Sequence, residues 1–393
     1  PGETVTATYT HPVMDDIGTA NDTATQDVTF VITGTNDVQT IKVVDVTGAV
    51  TEDATTPNLT DSGSVTFAEV DDTDIISSSV ALTSTATTGP AIPGALTTAL
   101  GTAVSLTQTG TNDGTIDWDF TVLNSLVQYL ADGETVTATY TITVTDDSGT
   151  ANDTATQDVT VVITGTNDVP TITVVDVTGG VTEDATTPNL TDSGSVTFAE
   201  VDDTDLISSS VALTSTATTG PAIPGALSTT LGTALSLTQT GTNDGTIDWD
   251  FTVANSLVQY LADGETVTAT YTITVNDDSG TANDTATQDV SVMITGTNDV
   301  PTITVVDVTG GVTEDATTPN LTDSGSVTFA EVDDTDLISS SVALTSTATT
   351  GPAIPGALST ALGTAVSLTQ TGGNDGTIDW DFTVLNSLVQ YLA

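Results

Sequence analysis

The 393-residue chain has no cysteine, so disulfides and thiolate metal sites are both excluded. Basic residues are nearly as scarce: Lys42 and His11 stand alone against 53 acidic residues, giving a formal charge of −52. A surface this poor in cations cannot neutralise phosphates, so nucleic acid and anionic lipid are poor partners and metal cations are natural ones. No apolar run is long enough for a membrane-spanning helix, which leaves a soluble chain with no direct membrane insertion. The sequence opens at Pro1 without a basic, apolar signal region, so the true N-terminus is expected elsewhere. With one His, no Arg, no Cys and no glycine-rich phosphate loop after a strand, the chain is read as non-enzymatic.

What is present repeats. Gly-Thr-Asn-Asp begins at Gly34, Gly165 and Gly296, a period of 131 residues that divides 393 into three. The second and third copies differ by single exchanges such as Thr145 against Asn276 and Val162 against Met293. If units break after each Gly-Thr-Asn-Asp, residues 1–37 are the C-terminal strands of a partial repeat, 38–168 and 169–299 are complete repeats, and 300–393 is the N-terminal part of a further one. The partial pieces, of 37 and 94 residues, together make one more unit. Either the chain is a window on a longer array, the favoured reading, or neighbouring molecules complete the partial units.

Strand signals dominate each unit. Over 134–144, Val136, Ala138, Tyr140, Ile142 and Val144 alternate with Thr, the period-two mark of a half-buried strand about 36 Å long. Ile116, Trp118, Phe120 and Val122 repeat the pattern, and further strands are predicted at 159–163, 171–177, 195–198, 211–215 and 234–239. Thr supplies roughly a quarter of the residues, which suits exposed sheet faces. About seven strands per unit, with turns such as Asn112-Asp113-Gly114, indicate a β-sandwich. One helical segment is expected, a single turn within 124–130. Pro12 beside His11 predicts a strand broken at that point.

Four segments carry a family resemblance: Val-Ile-Thr-Gly-Thr-Asn-Asp-Val-Pro at 162–170, Val-Thr-Glu-Asp-Ala at 181–185, Phe-Ala-Glu-Val-Asp-Asp-Thr-Asp at 198–205, and Asn-Ser-Leu-Val-Gln-Tyr-Leu-Ala-Asp-Gly-Glu at 255–265. Together they resemble VCBS repeats, the cadherin-like extender domains of large bacterial repeats-in-toxin surface adhesins. The resemblance implies an all-β rod of tandem immunoglobulin-like (cadherin-like) sandwiches arranged end to end, calcium at the domain junctions, type I export and an extracellular place at the bacterial cell surface.

The residues themselves support calcium. In a seven-strand sandwich alternate loops gather at opposite ends. For the unit 169–299 one end collects Asp202, Asp203 and Asp205 with Asp277 and Asp278, and the other collects Glu183, Asp184, Asp263 and Glu265. The linker before it adds Asn167 and Asp168. Carboxylates this close repel one another unless a cation intervenes, and an all-oxygen donor set suits calcium better than zinc or magnesium. Carrying over the roles of cadherin junctions gives Glu52, Asp53, Asp132, Glu134, Asn167, Asp168, Asp202, Asp203 and Asp205 at one junction. One period later the set is Glu183, Asp184, Asp263, Glu265, Asn298, Asp299, Asp333, Asp334 and Asp336. The first junction has Glu3, Asn36, Asp37, Asp71, Asp72 and Asp74 with Asp146 and Asp147, and Pro1 stands where the next repeat has Asp132.

Plainer readings compete. The acids also suit a solvated, salt-tolerant surface. Trp118, Trp249 and Trp380 fall in phase with core positions and not as sugar platforms, which argues against a carbohydrate-binding module. Asp117 and Asp119 are a carboxylate pair, but are expected to point outward. The sequons at Asn21, Asn58 and Asn189 arise readily in a Thr-rich chain. The expected function is a calcium-rigidified stalk whose partners are neighbouring repeats. The alternative is a filament or surface-layer subunit in which residues 1–37 complete the 300–393 domain of an identical subunit.

Overall fold

The computed structural model describes residues 2–392; Pro1 and its place in the first junction, like Ala393, lie outside the described residues. Two compact units are present. The first comprises Pro1–Pro170 with Glu200–Ile207 and Asp277–Asp284; the second comprises Thr171–Ala199, Ser208–Asn276 and Thr285–Ala393.

The first unit begins with an antiparallel hairpin, Thr4–Met14 against Thr23–Thr33. A sandwich follows. One antiparallel sheet runs in the order Thr40–Asp45, Asn58–Ala68, Gly114–Leu123, Val104–Thr109. The other runs Thr47–Thr51, Thr154–Thr164, Thr135–Thr145, Ser77–Thr87, with a parallel pair at its first edge. The alternating sets Ile116, Trp118, Phe120, Val122 and Val136, Ala138, Tyr140, Ile142, Val144 meet in the core, all at most 2% exposed. Each of these side chains larger than Ala138 contributes roughly 1.5–3 kcal/mol of apolar burial. Trp118 donates its indole N–H to the Asp45 carbonyl at 2.8 Å. Its ring lies so close to Gly63 that a Cβ there would stand 2.5 Å from Cζ2, so only glycine fits. Asp117 and Asp119 face solvent.

The second unit repeats this sandwich between Thr171 and Thr295, with Trp249, Phe251 and Tyr271 in the core. It then adds a single sheet in the order Thr302–Asp307, Asn320–Ala330, Gly376–Leu385, Val366–Thr371.

Three sequence expectations need correction. A complete repeat has eight strands, because the first breaks after Asp45 and continues as Thr47–Thr51 in the opposite sheet. A helix, Gly94–Leu100, was not expected; it follows Pro93 and buries Leu96 and Leu100, one turn apart on one face. Finally, Thr4–Met14 is unbroken at Pro12. Gly34 donates to Glu3 and Asp15 to Asp22, both at 2.9 Å, so odd-numbered residues bond across the hairpin. The Pro12 nitrogen therefore faces the open edge, where no ladder donor is lost.

Candidate metal centre

The acidic loops are shaped by their own glutamates. Glu69 turns its Oε1 onto the N–H groups of Val70 (2.6 Å) and Asp71 (3.0 Å). The turned loop presents Asp71 Oδ2 to the N–H of Asp37 at 3.0 Å, and Asp147 Oδ1 accepts from the N–H of Ile75 at 2.9 Å. Asn36 ties the linker down: its amide donates to Asp146 Oδ2 at 3.2 Å and to the Asn152 carbonyl at 3.0 Å.

One period on, and still within the first unit, the pattern recurs. Asp168 N–H donates to Asp202 Oδ2 (2.9 Å), Leu206 N–H to Asp278 Oδ1 (2.8 Å), and the Asn167 amide to Asp277 Oδ2 (3.3 Å). Here the opposite sandwich end also takes part. The Thr204 hydroxyl donates to Glu134 Oε1 at 3.0 Å, and Asp203 N–H to the Tyr129 carbonyl at 3.2 Å. In the second unit, Asp299 N–H reaches Asp333 Oδ2 (2.9 Å), Asp334 N–H the Tyr260 carbonyl (3.1 Å), and the Thr335 hydroxyl Glu265 Oε1 (3.0 Å).

Burial and like charge act together on these groups. Burial, reinforced by Asp168, Asp205 and Glu200, pushes the Asp202 carboxyl up to about 8. Asp205 rises to about 6 through burial and the charges of Asp277, Asp278, Glu134 and Asp132. Burial with Asp299, Asp336 and Glu331 likewise lifts Asp333 to about 6. Asp168 and Asp299 are raised by burial first, then by Glu52 and by Glu183 respectively. Several acceptors here have no hydrogen-bond partner: Asp333 Oδ1 on a side chain 0% exposed, Asp74 Oδ2 and Glu69 Oε2 at 7% and 6%, and Asp168 Oδ2, Asp299 Oδ2 and Asn167 Oδ1. Oxygen atoms buried without a donor are costly unless a cation or proton supplies the missing charge.

The structure thus brings together Asp132, Glu134, Asn167, Asp168, Asp202, Asp203, Asp205, Asp277 and Asp278, with Asp132 and Asp203 exposed. It gives other expected ligands different work. Glu52, 1% exposed, accepts from Thr166 N–H at 3.0 Å, from the Thr166 hydroxyl and from Gln128; Glu183 does the same with Thr297 and Gln259. Asp53 accepts from the N–H groups of Thr55 and Thr56 within its own turn, and the bonds from Thr56 and Thr55 hold its carboxyl at about 2; one period later Asp184 accepts in the same way from Thr186 and Thr187. Asp263 is exposed, as are Asp72, Asp334 and Asn298. Glu3 shares a small cleft with Asp71 and Asp72. Sequence reasoning passed over Glu69, Glu200 and Glu331, although each precedes the Val-Asp-Asp-Thr-Asp run it shapes. It also passed over Gln39, which replaces Pro170 of the next repeat and donates to Asp146 and to the Asp153 carbonyl.

The donor chemistry fits a hard divalent cation: oxygen atoms only, buried, with acceptors left over. Among the described residues, however, no group of three acidic or imidazole side chains is positioned to hold an ion.

No family model matches the chain, and no curated protein matches it. Among solved structures, the zebrafish RET cadherin-like domains 1 to 4 are similar at 12% identity, over 75% of this chain and 58% of theirs, with a TM-score of 0.23. Drosophila N-cadherin EC1-4 is similar at 11% identity over 75% and 59%, TM-score 0.21. CfaE, the adhesive subunit of the CFA/I fimbria of enterotoxigenic Escherichia coli, is similar at 11% over 66% and 87%, TM-score 0.29. This chain spans less than two thirds of either cadherin-like chain. The strand pairing itself makes each complete repeat a sandwich.

Proposed function

We propose that the chain is a structural, non-catalytic segment of a bacterial surface adhesin of the VCBS type, an extender stalk whose 131-residue repeats are stiffened by calcium at their junctions. The observation that carries this reading is the set of buried, donor-less carboxylate oxygens, led by Asp333 Oδ1, in a chain with a single basic side chain. Calcium supplies the positive charge these oxygens lack. At the central junction the carboxylates of Glu134, Asp168, Asp202, Asp205 and Asp277 would have to turn toward one another to hold it, with Asn167 fixing the linker and Glu200 shaping the loop. At the next, Glu265, Asp299, Asp333 and Asp336 would do so. Each repeat would add about 40 to 50 Å to the stalk. Type I export and an extracellular location belong to the same proposal.

The test is calorimetric titration of the chelator-treated chain with calcium chloride. Saturable binding that weakens at least tenfold at one site in Asp333→Asn supports the reading. Absence of binding at millimolar calcium contradicts it and leaves the acids as solvated surface.

A further inference from the structure

The leading ends of the two complete repeats differ at one buried position. In the repeat 169–299 the residue after Val169 is Pro170, and Pro301 follows Val300 in the same way; in the repeat 38–168 that place holds Gln39, 3% exposed. Proline has no donor to offer there. Gln39 has a carboxamide, and its nitrogen donates to Asp146 Oδ2 and to the Asp153 carbonyl, the latter at 3.0 Å. Asp146 is itself buried; its Oδ2 also accepts from the Asn36 amide (3.2 Å), and its Oδ1 from the Ser148 N–H (2.8 Å). One period on, Asp277 is buried as deeply. Its oxygens accept from the Asn167 amide (3.3 Å) and the Ser279 N–H (3.0 Å), and Pro170 supplies no counterpart to the Gln39 bond. Both sites lie in the first unit.

We propose that the Gln39 amide does at Asp146 part of what a cation does at Asp277, so that the junction at Gln39 holds calcium less tightly than the junction at Pro170 and depends on it less for its order. This inference rests on the calcium reading above and adds a gradation to it, with joints of one array set to different calcium levels. The physical argument is one of competition. A carboxylate oxygen that already accepts two amide N–H groups has little acceptor capacity left for a metal, and freeing it breaks hydrogen bonds in a buried site, where each is stronger than in water. On Asp277 Oδ2 the single 3.3 Å bond from Asn167 is the weaker competitor. Placing the carboxamide here also leaves Gln39 Oε1 buried without a donor, a penalty that its two donated bonds have to offset. The backbone is not what demands glutamine, because proline occupies this place in the two following repeats.

The experiment is calorimetric titration of the chelator-treated full chain with calcium chloride, run beside three variants. Gln39→Met keeps the length of the side chain and removes its donor, Gln39→Pro installs the residue of the next repeat, and Pro170→Gln makes the reverse exchange. The parent should show a tight and a weak class of site. Gln39→Met and Gln39→Pro should each tighten the weak class at least about tenfold, and Pro170→Gln should weaken a tight site by a similar factor. A second readout does not depend on affinity: in EDTA, Gln39→Met should unfold at a lower temperature than the parent, and millimolar calcium should remove the difference. Tightening in Gln39→Pro without tightening in Gln39→Met overturns the proposal, since linker stiffness and not the donor would then be the cause. Affinities unchanged in all three variants overturn it too, while leaving the calcium reading intact. A parent that binds no calcium at millimolar concentration overturns both.

Discussion

Residues 77–87 and 339–349 have the same sequence, Ser-Ser-Ser-Val-Ala-Leu-Thr-Ser-Thr-Ala-Thr, yet the first is a strand and the second is not. The first pairs with Thr135–Thr145 over its whole length, and among the described residues the second has no such partner. Local preference is identical in the two, so the difference is tertiary. A Thr- and Ser-rich edge segment becomes a strand only when a neighbour accepts its ladder and a core receives Val80 and Leu82. The same contrast separates Trp118, fully buried, from Trp380, half-buried against one sheet.

The largest expected effect is in amide exchange. At low micromolar concentration 77–87 should exchange at least about a thousandfold more slowly than 339–349, and equal rates would erase the comparison. Next comes packing. Trp118→Ala should lower the stability of its sandwich by about 3–5 kcal/mol, while Trp380→Ala should cost distinctly less, as read by calorimetric unfolding. Third is pH. Asp202 lies at about 8 in a complete repeat, and its counterpart Asp333 at about 6 in the half repeat. Both are raised above the ordinary 3.8, so the folded chain retains protons that the unfolded chain has already released. In chelator, this contribution is intact below pH 4 and is lost as pH rises, by about 6 for the half repeat and about 8 for the complete one. Calcium should flatten that slope. The smallest effect is a control: Asp117→Asn and Asp379→Asn, both exposed, should each change stability by less than about 0.5 kcal/mol.

Much of this fold is legible from the side-chain period, because one-sided burial is written as alternation: every inward residue expected at 116–122 and 136–144 is buried. The helix Gly94–Leu100 escaped because its apolar pattern spans only two turns and its start is a Pro, not a side-chain cap. The sheet switch at Val46 escaped because a strand that changes partners keeps a continuous β-type sequence. At the loop ends, the acids that gather were readable from sandwich topology. Their division of labour was not, because Asp53 and Asp202 are both simply Asp until the backbone donors around them are known. Asp53 has two Thr N–H groups in its own turn and lies at about 2; Asp202 is buried among other acids. The hairpin strand through Pro12 depended on which edge its nitrogen faced, a matter of register that one residue cannot reveal.

The central claim is that calcium closes the acidic junctions and stiffens the array. Small-angle X-ray scattering of the 393-residue chain tests it most directly, first in excess EDTA and then in millimolar calcium, at low micromolar concentration. The account predicts a flexible chain in EDTA and an extended, stiff particle with a larger maximum dimension in calcium. Scattering curves that coincide in the two conditions would contradict it.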